Sequence, residues 1–197
     1  MTEILDYGLD SPARALLVLI LSMEDRAKQK AMNKLHFQKA IYYFENLKQD
    51  KAVFFSNFKY GGVSFELMEN METLEESGLV TKIGTKYVLT AEGERLAKEL
   101  ACVPEYDRDT LRKLEYAKFL LNDLNDKELL FFMYMTFPET QVNSIEFVNL
   151  IKDKEAWVRK LFLKDRINAA TAAEWLGTTQ RIFLKSLPIA THNELCL

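Results

Sequence analysis

Histidine, cysteine, proline and glycine are all scarce in this chain: two, two, four and seven among 197 residues. Each shortage excludes something. Cys102 and Cys196 lie far apart in sequence and make no metal or redox motif, so two free thiols in a reducing cytosol are expected. Few prolines and glycines argue against long disordered linkers. His36 and His192 are the only imidazoles, and no second ligand stands at metal spacing from His36. It reads as a helix-surface or core-edge residue. There is no Gly-rich phosphate loop, nucleophile elbow or HExxH, so neither an enzyme nor a cofactor is expected. The longest apolar run, Ala15 to Leu21, is too short to span a bilayer. The start, MTEILDYGLD, is acidic where a secretory leader is basic. A cytoplasmic protein with no membrane partner is the expectation. The formal charge of -3 gives no global cationic field, so any nucleic-acid surface must be local.

What is present is material for a core. Hydrophobic residues make up 48% of the chain, with thirteen Phe and eight Tyr, enough for one large domain or two small ones. Ser11-Pro12 opens an apolar helix running to about Met23. Leu35, Phe37, Ile41, Phe44 and Leu47 recur at helical spacing and predict a second helix from about Asn33 to Leu47. Lys51 to Tyr60 reads as extended and is broken by Gly61-Gly62. Ser64 caps a third helix, Phe65 to Ser77, which Gly78 ends. Two β-prone runs around Gly84-Thr85 predict a hairpin over Leu79–Thr90, and Thr90 caps a fourth helix to Leu100. Ala101 to Asp107 carries Pro104 and marks a boundary, dividing the chain into 1–103 and 104–197. The second half predicts helices at about Asp109–Leu124, Lys127–Phe137, Ser144–Ile151, Glu155–Lys164, Ala169–Leu176 and Thr179–Leu187, then a loose tail after Pro188. The aromatic run Leu129 to Phe137 reads as a buried helix, with a ligand pocket as the alternative.

Three helices, a hairpin and a helix follow the winged-helix order, so the expected fold is mainly α with a small β-hairpin wing. Gly78-Leu-Val and Tyr87-Val-Leu-Thr-Ala-Glu-Gly93 fit that order, in which a Leu/Val pair ends the third helix and Leu-Thr-x-x-Gly returns from the wing. Lys34-Leu-His-Phe-Gln-Lys-Ala-Ile-Tyr-Tyr-Phe44, followed by Tyr60-Gly-Gly-Val-Ser64, resembles the core of Panacea-type (SocA-like) domains. Gly62 stands where that family usually has Pro. The resemblance covers about half the chain. It implies an antitoxin or proteolytic adaptor that acts by binding proteins.

The C-terminal segment Lys164 to Leu187 resembles the helix-turn-helix of small antitoxin-like regulators. Ala173 is small where two helices cross, and Gly177 permits a left-handed turn between them. Trp175 and Phe183 are the expected core fillers. Arg181 and Lys185, four apart, share one face of the second helix.

Charge separates the two candidate reading helices. The third helix carries Glu66, Glu69, Glu72, Glu75 and Glu76 and no Lys or Arg, so phosphates would repel it. Those glutamates are either a solvated acidic face or a surface for a basic protein partner, including another copy. Lys82 and Lys86 on the hairpin are edge protection or phosphate contacts. From Lys152 to Ser186, eight basic residues, including Lys164 and Arg166, oppose four acidic ones. There the helix-turn-helix is either a DNA reader or only a structural corner. The leading expectation is a dimeric DNA-binding transcriptional regulator. In it Thr179, Gln180 and Arg181 begin the recognition helix and Lys185 reaches phosphate. The alternative is an antitoxin- or adaptor-type interaction module using the acidic third helix.

Overall fold

The computed structural model describes residues 9, 11–48, 51–58, 61–142 and 144–187. Tyr60, His192, Cys196, the acidic start apart from Leu9, and the tail from Pro188 lie outside the described residues. The protein is mainly helical, with a small antiparallel sheet of three strands. It divides into two compact units, Met1–Ser144 and Ile145–Leu197.

The first unit is built around α1 (Pro12–Ser22), buried on almost every side by Ala13, Ala15 and the run Leu16 to Leu21. A helix that is apolar all round must lie inside. Here α3 (Phe65–Glu76), α4 (Ala91–Leu100) and α5 (Arg108–Leu121) pack against it. α2 (Lys34–Asn46) packs on α5 and on α6 (Asp126–Thr136). Asn33, Ser64, Thr90, Asp107 and Asn125 each cap the helix that follows with a side-chain oxygen, as their residue types dictate.

The sheet pairs β4 (Val80–Ile83) with β5 (Lys86–Leu89) about Gly84, whose φ is +63°. A two-residue strand, β1 (Met32–Asn33), adds to the other edge of β5. It was not expected, because two residues carry no alternation. The predicted Gly61-Gly62 break is instead a return: β3 (Gly61–Val63) pairs antiparallel with β2 (Ser56–Phe58). Gly62 lies against Tyr42, where an added Cβ would come within 2.6 Å of the ring.

The Gly-Leu-Val and Leu-Thr-x-x-Gly segments are one device. Thr90 donates its N–H to Leu79 O (3.0 Å) and its Oγ1–H to Gly78 O (2.8 Å), while Oγ1 accepts from Gly93 N. At Gly93 a Cβ would lie 2.2 Å from Leu79 O. Only glycine lets α4 sit so close to the end of α3.

The division expected at 103/104 falls inside the first unit. α5 does not begin a separate body, because polar bonds as well as packing tie it to the N-terminal elements. Lys118 Nζ donates to Ile20 O (2.8 Å) and Lys30 O (2.5 Å). Asn122 donates to Asp25 and to Ala31 O.

The second unit holds α7 (Ile145–Leu150), a 3₁₀ turn at Ile151–Asp153, α8 (Lys154–Leu163), α9 (Ala169–Leu176) and α10 (Gln180–Lys185). Its core is Leu150, Val158, Leu161, Ile167, Ala172, Ala173 and Phe183. Trp175, expected there as well, is only partly buried.

Candidate functional site

The second unit exposes Arg181 and Lys185 just past the α9–α10 corner. Gly177 ends α9 in the left-handed region, φ +64°, with Thr178 N donating to Ala173 O and Gly177 N to Glu174 O. That pattern stops a helix and starts the next within three residues. Thr179 then accepts from Ile182 N, and α10 begins. Phe183 faces inward against Phe162, ring centroids 5.0 Å apart. This fixes the rotation of α10 and leaves Gln180, Arg181 and Lys185 in solvent. Arg159, on α8, holds the end of α10 by donating to Ser186 O (2.6 Å) and pairs with Glu155.

Of the other predicted DNA contacts, Lys82 and Lys86 belong to the first unit and Lys164 and Arg166 to the second. Arg166 is 6% exposed and so is withdrawn from any phosphate. The chain passes through Asp165 at φ 54°, Arg166 N bonds back to Leu161 O, and the side chain turns inward. Lys164 is partly buried at the end of α8. Lys82, in the first unit, is committed to Glu75 at 2.7 Å and lies over the Tyr87 ring. The Glu75 hydrogen bond raises its pKa. The hairpin lysine thus neutralises part of the acidic helix. Lys86 is exposed at the edge of a pocket described below. On α3, Glu66, Glu69, Glu72 and Glu76 face solvent, and Phe65 at its head is 55% exposed.

Two features of the first unit escaped the sequence. The first is a polar pocket of about 620 Å³ among Asp25, Asn33, His36, Lys86, Asn122 and Asp126. Of the two places expected for His36, helix surface and core edge, it takes the second: it is buried and lines this pocket. Nδ1 lies 2.7 Å from Asn33 Oδ1 and Nε2 2.7 Å from Leu124 O. Desolvation lowers its pKa, against the opposing pull of the Leu124 carbonyl and Asp126. Among the described residues no group of three His, Cys, Asp or Glu is placed to hold a metal ion. The second feature is a pair of buried lysines. Lys39 Nζ donates to Gly62 O at 2.7 Å, and desolvation brings its pKa to about 8. Lys118, held as above, is brought to about 7, again mainly by desolvation. A lysine inside a helical apolar pattern reads as a surface residue, so neither position was legible.

The segments 34–44 and 61–64 touch. Gln38 donates to Ser64 O (2.8 Å) and accepts from Ser64 N (2.9 Å), beside the Lys39–Gly62 bond. Among the described residues no helix is long and apolar enough to cross a membrane. No protein-family model matches the chain, and no curated protein matches its sequence.

Proposed function

We propose that this chain is a DNA-binding regulator whose contact with DNA is made by the second unit, through Thr179, Gln180, Arg181 and Lys185. In this reading the first hundred residues are a winged-helix module that serves as scaffold and not as reader. One observation carries it. Of the two candidate reading helices, α3 carries carboxylates as its only charged groups, whereas α10 exposes Gln180, Arg181 and Lys185 and belongs to a segment with eight basic residues against four acidic ones. Phosphate contacts supply most of the affinity for DNA, so the sign of the charge decides between them. Gln and Arg are also the side chains that pair with adenine and guanine edges.

The test is fluorescence anisotropy on genomic DNA fragments over a salt series, with wild type and an Arg181→Ala, Lys185→Ala double variant. Binding is expected to weaken with salt. The double variant should lower the slope of log affinity against log salt by about 2, one contact per residue. Absence of binding at low salt rejects the proposal.

A second reading is an antitoxin- or adaptor-type module that binds a basic protein through α3. Phe65 supports it: an exposed ring at the head of a carboxylate stripe offers an apolar anchor beside the charge. Salt-sensitive capture of a basic protein, lost in Phe65→Ser and retained in the Arg181/Lys185 variant, would favour this reading.

A further inference from the structure

A contiguous aromatic face wraps the C-terminal end of α2 in the first unit. It is traced by ring contacts: Phe55 on Tyr42 (5.0 Å), Tyr42 on Phe137 (5.2 Å), Phe137 on Tyr43 (5.8 Å) and Tyr43 on Tyr116 (6.4 Å). Phe119 continues it along α5, where a shallow groove of about 530 Å³ separates the side chains. The outward members are exposed: Phe54 82%, Tyr116 51%, Phe119 41% and Leu47 39%. Together these four present on the order of 400 Å² of mostly apolar surface. That is about half of what one partner contributes to a stable interface of standard size, before the partly buried Tyr43, Phe55 and Phe137 are added.

Phe54 is the most exposed of these rings, yet its loop is built. Glu45 is fully buried and its Oε2 accepts from Ala52 N (2.6 Å) and Val53 N (3.3 Å). Val53 is buried and Phe55 meets Tyr42 edge to face, so anchored neighbours hold Phe54 outward from both sides. A ring already held in place loses little entropy on docking.

We propose that this face is the homodimer interface, with the occupant a second copy of the same face related by a two-fold axis. Charge selects that occupant. A two-fold contact sets each surface against itself, so the surface cannot be a dense run of one sign. Around the aromatic face acids and bases are interspersed: Lys113 pairs with Asp109, Lys48 lies 3.7 Å from Glu45, and Arg112 has Glu115 on the same helix, while Arg26 over the Phe119 ring and Lys51, bonded to Asn46, add positive charge. The α3 face fails the same condition, since self-pairing would oppose carboxylates on both sides. Self-association therefore belongs to the α2–α5 face. The inference does not depend on the DNA reading.

Sedimentation velocity of the full chain over a dilution series tests it. Wild type should dimerise reversibly. A Phe54→Asp, Tyr116→Asp double variant should weaken the dimer about thirtyfold or more, as for paired hot-spot residues. Ile83→Asp, on the exposed hairpin, should leave it unchanged. Hydrogen exchange on wild type at high and low concentration needs no variant: amides of Leu47–Phe55 and Arg112–Phe119 should lose protection on dilution while α3 does not. A monomer at every concentration, a dimer indifferent to the double variant or equally weakened by Ile83→Asp, or dilution-sensitive protection on α3 would each overturn the proposal.

Discussion

Lys39 and Lys118 put ammonium groups where packing alone calls for methionine. Both spend their protons on backbone carbonyls, and both are easier to deprotonate than an exposed lysine. Between about pH 7 and its ordinary value of 10.5, Lys118 holds a proton in the unfolded chain that it has lost in the folded one. The unfolding free energy therefore rises with pH over that window. Lys39 acts in the same sense from about pH 8. Tyr43 opposes them at higher pH: burial pushes its pKa up to about 12, so above its ordinary value of 10 the unfolded chain ionises first and stability falls. Urea midpoints should thus rise from pH 7 to a maximum near pH 10. Lys118→Met should flatten the lower part of that rise. An unchanged slope in the variant would show that Lys118 is not its source. His36 contributes on the acid side. Its lowered folded pKa means that stability is lost as pH falls below its ordinary value of 6.5.

At the scale of elements, glycine and threonine decide where α3, the hairpin and α4 meet. Gly93→Ala is expected to destabilise by about 3 kcal/mol, the upper range for overpacking, because the obstacle is the backbone oxygen of Leu79. Gly62→Ala should cost about 2 kcal/mol, less than Gly93→Ala because the obstacle is the Tyr42 ring and not backbone. Thr90→Ala removes both a cap and the hydroxyl bond to Gly78 O just past α3, and about 1–2 kcal/mol should follow. Chemical denaturation of the three variants checks the order as well as the size. In the second unit, Gly177→Ala forces a side chain into φ +64° and should cost about 1 kcal/mol. It tests whether the α9–α10 corner tolerates strain.

For the whole molecule, the position of the unit boundary has consequences. A fragment of residues 1–144 should fold, with cooperative unfolding and dispersed amide resonances. A fragment of residues 1–103 should not. It would lack Leu114, Ala117, Lys118 and Leu121, which pack on or bond to α1, α2 and the turn that precedes β1. A folded 1–103 fragment would restore the boundary at Pro104. That segment has every local mark of a linker: a proline, an exposed cysteine and a 3₁₀ turn. What overrides those marks is a set of long-range bonds that no local signal announces.

The sequence by itself determined the helices, their caps and the hairpin. Helical periodicity, Ser, Thr, Asp and Asn at starts, and Gly at stops are local physics, and they placed each predicted helix within a few residues of its observed bounds. It also determined the sign of each candidate surface, because α3 holds five glutamates and no base whatever the fold. Tertiary structure decided the rest. It turned Arg166 inward, committed Lys82 to Glu75, buried Lys39, Lys118 and His36, and added β1 to the sheet. It also left Tyr116 and Phe119 off the inward stripe of α5, with Tyr116 beside Tyr43 on α2. Each of these depends on residues far apart in the chain meeting in space, and the free energy of burial or of a buried hydrogen bond is not a property of any one segment.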